Sequence, residues 1–208
     1  MTVYVYLHGF ASSPRSRKAQ DLRDRFAALN LTLHTPDLNQ NDFTHLTLTR
    51  QIQQVCAFPL GQPVVLIGSS LGGLTAAWVG EFCPQVARLV LLAPAFEFLT
   101  HWLPKLGDKR LHEWQSGTPL MVYHYGAERL LPLSYQFVVD CAGYDLAQLQ
   151  KPIPTLILHG ISDQVIPIQA SRDYVCVRPW VELVELDSDH ALAEAGQAIW
   201  GSIVQFLF

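Results

Sequence analysis

Short runs that are apolar on nearly every residue recur along the 208-residue chain, and segments with helical spacing separate them. Val3 to Leu7, Pro63 to Ile67, Arg88 to Ala93, Thr155 to His159 and Val181 to Leu186 read as strands, with a shorter one at Leu31 to His34 before Pro36. A strand with no polar alternation is buried on both faces, as happens inside a parallel sheet. Between these runs, Ser16 to Leu29 sets Ala19, Leu22, Phe26 and Leu29 on one face of a helix. Leu46 to Phe58 repeats the pattern and is closed by Pro59 and Gly61. Further helices are expected from about Leu71 to Phe82, near Ile168 to Val175, and from about Ala191 to Phe206. Such alternation restricts the chain to an α/β fold in three layers, with a mostly parallel sheet of about six strands covered on both faces.

One stretch breaks the alternation. Phe96 to Gln150 holds Trp102, Trp114 and four tyrosines among Gly, Pro and charged residues, without a clear period. It reads as a helical cap or lid, at about 96–150, inserted into a single domain spanning 1–208.

Charged residues make up only 15% of the chain and hydrophobic ones 50%. The charged share is well under the roughly 25% of an average globular protein, which excludes intrinsic disorder. With 14 Lys+Arg against 18 Asp+Glu the net charge is −4, and no basic stripe supports a nucleic-acid partner. No uninterrupted run of 18 apolar residues occurs, so no membrane-spanning helix is expected. The N-terminus, Thr2-Val3-Tyr4-Val5, lacks the basic region and cleavage site of an export signal, so a cytoplasmic protein is expected. Cys56, Cys83, Cys141 and Cys176 form no CxxC pair, which argues against a zinc or redox site, and neither a disulfide framework nor a bound metal is expected.

The residues that carry chemistry begin with Gly68-Ser69-Ser70-Leu71-Gly72, set between an apolar strand and a helix. G-x-S-x-G in that setting is a nucleophile elbow, a turn tight enough to lift the central hydroxyl above the carboxyl end of the sheet. Ser70 is the central residue; Ser69 is its neighbour, one position off. A serine hydroxyl needs a base, and the base an orienting acid. For this elbow the chain order is Ser, then Asp or Glu, then His. Asp163 follows the strand ending at His159, and His190 follows the strand ending at Leu186, so both sit on the rim that carries Ser70. Asp163 is alternatively a helix cap, and Asp187 and Asp189 adjoin His190 as rival partners. The tetrahedral oxyanion of acyl transfer requires two preorganised N–H donors, for which the backbones of Leu71 and of Phe10, after His8-Gly9, are placed. Ser12, Ser13, Arg15, Arg17 and Lys18 beyond that turn read either as a binding place for an anionic substrate group or as an exposed, helix-capping loop. Phe96, Phe98, Leu99, Trp102 and Leu103 either line an acyl pocket or pack the lid.

At these residues the chain resembles the α/β-hydrolase superfamily, through His8-Gly9-Phe10, the elbow, His159-Gly160 with Asp163, and Ser188-Asp189-His190. The run from Leu7 to Ser16, together with Gly68 to Gly73, is similar to the small YqiA-like bacterial esterases. Leu133-Ser134-Tyr135 and Ser188-Asp189-His190 are similar to the palmitoyl-protein thioesterase relatives. The resemblance implies a Ser-His-Asp hydrolase acting on a small-molecule acyl ester or thioester, with no cofactor. A C–C bond hydrolase or lyase on the same three residues, and a binding protein that kept the fold without turnover, are the alternatives, because one fold hosts many activities.

Overall fold

A computed structural model describes residues 2–58 and 61–208; Pro59, expected above to end a helix, lies outside the described residues. Six strands, β1 (Val3–Leu7), β2 (Leu33–His34), β3 (Val64–Ser69), β4 (Val86–Leu92), β7 (Thr155–Gly160) and β8 (Val181–Leu186), form one sheet. Their order is β2-β1-β3-β4-β7-β8, and every neighbouring pair runs parallel. The alternation of apolar runs thus translates into the expected α/β layers. From β1 the chain moves out to the edge at β2 and returns to β3 on the other side of β1. In open α/β sheets ligands bind at the carboxyl ends of the strands where the order reverses in this way, here those of β1 and β3.

Two apolar layers cover the sheet. On one face α1 (Arg17–Ala28) is capped by Ser16 Oγ, which accepts from Ala19 N at 3.3 Å, and it buries Ala19, Leu22 and Phe26 beside Tyr4, Tyr6 and Ile67. The last helix, α8 (Gly196–Leu207), adds Ile199 and Ile203 to this layer. On the other face lie α2 (Leu48–Cys56), α3 (Leu71–Phe82) and the middle segment; α7 (Ile168–Cys176) packs beside β7 and β8. Every residue of α3 from Leu71 to Gly80 is buried, because sheet, α2 and middle segment surround it.

Three expectations need correction. The middle segment is not simply helical. After α4 (Phe98–Trp102) and α5 (Asp108–Gln115) it forms an antiparallel hairpin, β5 (Leu120–His124) with β6 (Arg129–Leu133), before α6 (Gln136–Cys141). Period-two alternation is masked there because Met121, Tyr123 and Leu130 occupy the exposed face, so neither face reads as polar. The final helix begins at Gly196 rather than near Ala191, because Asp189 Oδ1 accepts from Ala191 N and Leu192 N and holds those residues in turns. Lastly, Cys56 and Cys83 are joined in a disulfide, contrary to the expectation of none. They stand 27 residues apart at the ends of α2 and α3, and it is the packing of those two helices that brings their Cα atoms to 6.2 Å.

Candidate active site

Ser70 occupies the turn between β3 and α3 with φ 54° and ψ −118°, in the left-handed half of backbone space that side chains avoid. The turn is held on all sides. Ser70 N donates to Leu92 O on β4, and its carbonyl accepts from the N–H groups of Gly73, Leu74 and Ala95. A Cβ at Gly72 would run into the Leu7 and His8 carbonyls of the first strand, so glycine is what lets the elbow seat against β1.

The structure brings the three expected side chains together. His190 Nε2 lies 3.0 Å from Ser70 Oγ, and its Nδ1 lies 2.7 Å from Asp163 Oδ2. A carboxylate only accepts, so Nδ1 carries the proton and Nε2 is free to accept from the serine hydroxyl. Asp163 is buried, and its other oxygen accepts from Val165 N at 2.8 Å and Ile166 N at 2.9 Å. Burial by itself would push this carboxyl up. Hydrogen bonds from His159 and His190, the electrostatic pull of the His190 ring and the Ile166 N–H outweigh it and hold the group well below the usual carboxylate range. The rival acids are elsewhere: Asp189 binds the backbone of its own loop, and exposed Asp187 makes no hydrogen bond to His190 among the described residues. Ser69 is engaged too, since its Oγ accepts from Lys18 Nζ at 3.0 Å.

Gly9 packs beside the elbow, a Cβ there lying 3.4 Å from Ser70 Cβ, and among the described residues no backbone acceptor takes the Phe10 or Leu71 amide. The loop bearing Phe10 is fixed from two directions. Buried His8 accepts from Leu38 N through Nε2 at 3.0 Å, so its Nδ1 proton is given to Gly9 O, also at 3.0 Å. The Phe10 ring meanwhile sits among Phe43, Phe98, Trp102 and Phe137, with centroids 5.4 to 5.9 Å away. Phe98 and Trp102 therefore pack the loop that bears Phe10, while Phe96 is buried against Tyr174.

The polar stretch after Phe10 is largely occupied with its own backbone. Ser13 Oγ accepts from Arg15 N, Ser16 caps α1, and Ser12 O accepts from Asn39 Nδ2. Arg15 and Arg17 are exposed, and only Lys18 turns inward. Burial pushes the Lys18 ammonium down to about 8, against the pull of Asp189 and Asp163.

Sequence reasoning gave no role to His159 or His8. Each stood in plain view as a single imidazole at the end of an apolar strand, but its bonds depend on how the chain folds back, for His159 on the next turn bringing Asp163, Ile166 and Ser171 to it, and for His8 on the remote Leu38 amide. Among the described residues no group of three or more His, Cys, Asp or Glu side chains is arranged to hold a metal ion. Among those residues, too, no helix is long and apolar enough to cross a membrane.

A family profile described as "Uncharacterised protein family (UPF0227)" matches residues 3–207. The chain belongs to UPF0227. A Mycoplasma pneumoniae protein whose name assigns it to the esterases and lipases is 26% identical to this UPF0227 member over 202 residues, which is 83% of this chain and 75% of that protein. Among solved structures, a protein from Agrobacterium vitis S4 designated a hydrolase superposes with a TM-score of 0.84 at 22% identity, covering 100% of this chain and 88% of its own. Mouse alpha/beta hydrolase domain-containing protein 10 superposes at 0.77 and 20% identity, covering 98% and 88%. At these identities the likeness establishes the α/β-hydrolase fold.

Proposed function

We propose that this protein is a serine hydrolase that cleaves a small carboxylic ester or thioester through an acyl-enzyme. The observation that carries the reading is the single imidazole of His190, within hydrogen-bond reach of Ser70 Oγ on one side and of buried Asp163 on the other. Nucleophile, base and orienting acid in that geometry are what acyl transfer from a serine needs. The esterase and lipase naming of the Mycoplasma relative adds support.

In this scheme Ser70 Oγ attacks the acyl carbonyl while its proton passes to His190 Nε2. The carbonyl oxygen becomes an oxyanion that accepts from the Phe10 and Leu71 amides. His190 returns the proton to the leaving alcohol or thiol, and the C–O or C–S bond breaks to leave Ser70 acylated. Water then attacks the acyl carbonyl while its proton passes to His190; the acyl C–O bond to Ser70 breaks, His190 returns the proton to Ser70 Oγ, and the acid leaves. Asp163, ionised throughout, keeps the imidazole in the Nδ1–H tautomer and stabilises the imidazolium.

Labelling with a fluorophosphonate probe and peptide mapping, beside turnover of p-nitrophenyl esters and acyl thioesters, tests this reading. Modification at Ser70 that disappears in Ser70→Ala, together with wild-type turnover, is the expected result. A folded protein that neither labels nor turns over would instead be a non-catalytic binding protein.

A further inference from the structure

Asp163 is gripped by two histidines, and the acyl-transfer scheme uses one of them. His159, near the end of β7, is wholly buried. Its Nε2 lies 3.1 Å from Asp163 Oδ2, the same oxygen that His190 holds, and 3.0 Å from Ile166 O. Both are acceptors, so the proton sits on Nε2. Nδ1, 2.7 Å from Ser171 Oγ on α7, then accepts the serine hydroxyl. The ring has no unused polar atom, and its bonds reach the Asp163 loop and α7 at once.

The neighbouring strand positions Leu156, Ile157 and Leu158 are filled by aliphatic side chains. An imidazole in their row must offset the cost of burying two ring nitrogens, which a leucine would not incur. What it offers in return is directional. The two backbone N–H groups grip Oδ1 alone, which leaves the carboxylate plane free to turn about that oxygen; a second donor on Oδ2 fixes the plane.

Resting on the serine-hydrolase reading above, we propose that His159 is a positioning residue, which locks the Asp163 carboxylate and thereby the tautomer and ring plane of His190. It touches neither substrate nor Ser70 in the scheme and acts through Asp163. Other charged groups also bear on this cluster: Lys18 of α1 acts on Asp163 and Asp189, and Glu185 of β8 lies near His159 while paired with Arg172 of α7. All of these remain in the variants below, so their influence is common to each comparison.

His159→Gln keeps an N–H near the Nε2 position, and His159→Leu deletes it. The leucine variant is expected to lose kcat by about 10- to 100-fold, the scale seen when an orienting partner of a working histidine is removed, with KM little changed. A loosely held carboxylate stabilises imidazolium less, so the acid limb of the kcat/KM profile should move to lower pH. The far-downfield proton resonance of the His190–Asp163 hydrogen bond should broaden or vanish. His159→Gln should recover most of all three. A leucine variant with the wild-type acid limb and resonance, or a glutamine variant no better than leucine, overturns the proposal. Should His159→Leu not fold, Ser171→Ala takes its place. It removes the Nδ1 partner and should shift the acid limb in the same direction by less, and an unmoved limb in Ser171→Ala is then equally fatal. Failure of the serine-hydrolase reading is distinct from these outcomes, because it would show in wild-type protein as absent Ser70 labelling.

Discussion

A side chain held at φ 54° costs of order 1–3 kcal/mol in backbone strain, and Ser70 carries that cost at the centre of the site. Its neighbours make the strain tolerable, through the hydrogen bond to Leu92 and the three amides gathered on the Ser70 carbonyl. Two substitutions separate chemistry from strain. Ser70→Ala should keep the fold and lose acyl turnover, and Ser70→Gly should be equally inactive yet about 1 kcal/mol more stable than the alanine variant, because only glycine relaxes there. Urea unfolding of the two proteins checks the second expectation, and equal stability would mean that the elbow is not strained. At Asp163 the argument concerns tautomers. Asp163→Asn offers His190 an amide in place of a carboxylate and allows the wrong ring nitrogen to be protonated. It should therefore lower kcat by about 10³- to 10⁴-fold with a small effect on KM. If Asp187→Asn or Asp189→Asn were the damaging change under the same assay, the orienting acid would have been misassigned.

At the scale of elements, the site depends on loops from separate strands meeting closely, and Gly160 sets how closely two of them do. A Cβ there would collide with the Ser188 and Asp189 carbonyls, the backbone that leads into His190. Gly160→Ala should push the His190 loop away from Asp163. A displacement near 1 Å is enough to cost about 100-fold in rate, alongside roughly 1–3 kcal/mol of stability from overpacking. Labelling rate and melting temperature measured together test this, and an alanine variant that labels at the wild-type rate would refute it. The same contrast between local and distant contacts explains what was legible in the sequence. The buried strands, α1, α3 and the order of Ser70, Asp163 and His190 are written in local patterns: apolar runs, helical spacing, a Gly-flanked serine. The hairpin was hidden because its exposed face carries Met121, Tyr123 and Leu130 in place of polar residues. The Cys56–Cys83 bond depends on which helices pack together, which no single segment encodes. The bracket of His159 lies within residues 159–171, but it needs the loop and α7 to fold back onto the end of β7, and no local repeat or motif signals that.

For the whole molecule, the sheet gathers Phe10 from β1, Ser70 from β3, Asp163 from β7 and His190 from β8 at one end, with β4 bracing the elbow from between. Bringing these loops together buries a carboxylate, and that couples the site to global stability. In the folded chain Asp163 binds a proton less readily than its ordinary value of 3.8 implies, so folding favours the ionised form. Its contribution is therefore complete well above that pH, and it declines as the pH falls below about 4 toward the depressed folded value. Asp163→Asn cannot take part in this exchange. It should be less stable than wild type at pH 7, where the carboxylate accepts four N–H donors, and its acid decline should be shallower. The two melting curves should then converge as the pH is lowered from 4 toward 2.5. Other carboxylates held low, such as Asp37 beside His8, remain in both proteins and cancel in the difference. Melting temperatures of the pair across that range decide the matter. Curves that stay parallel would mean that the acid sensitivity arises elsewhere, and that the buried carboxylate is not held ionised by the two histidines and the loop amides around it.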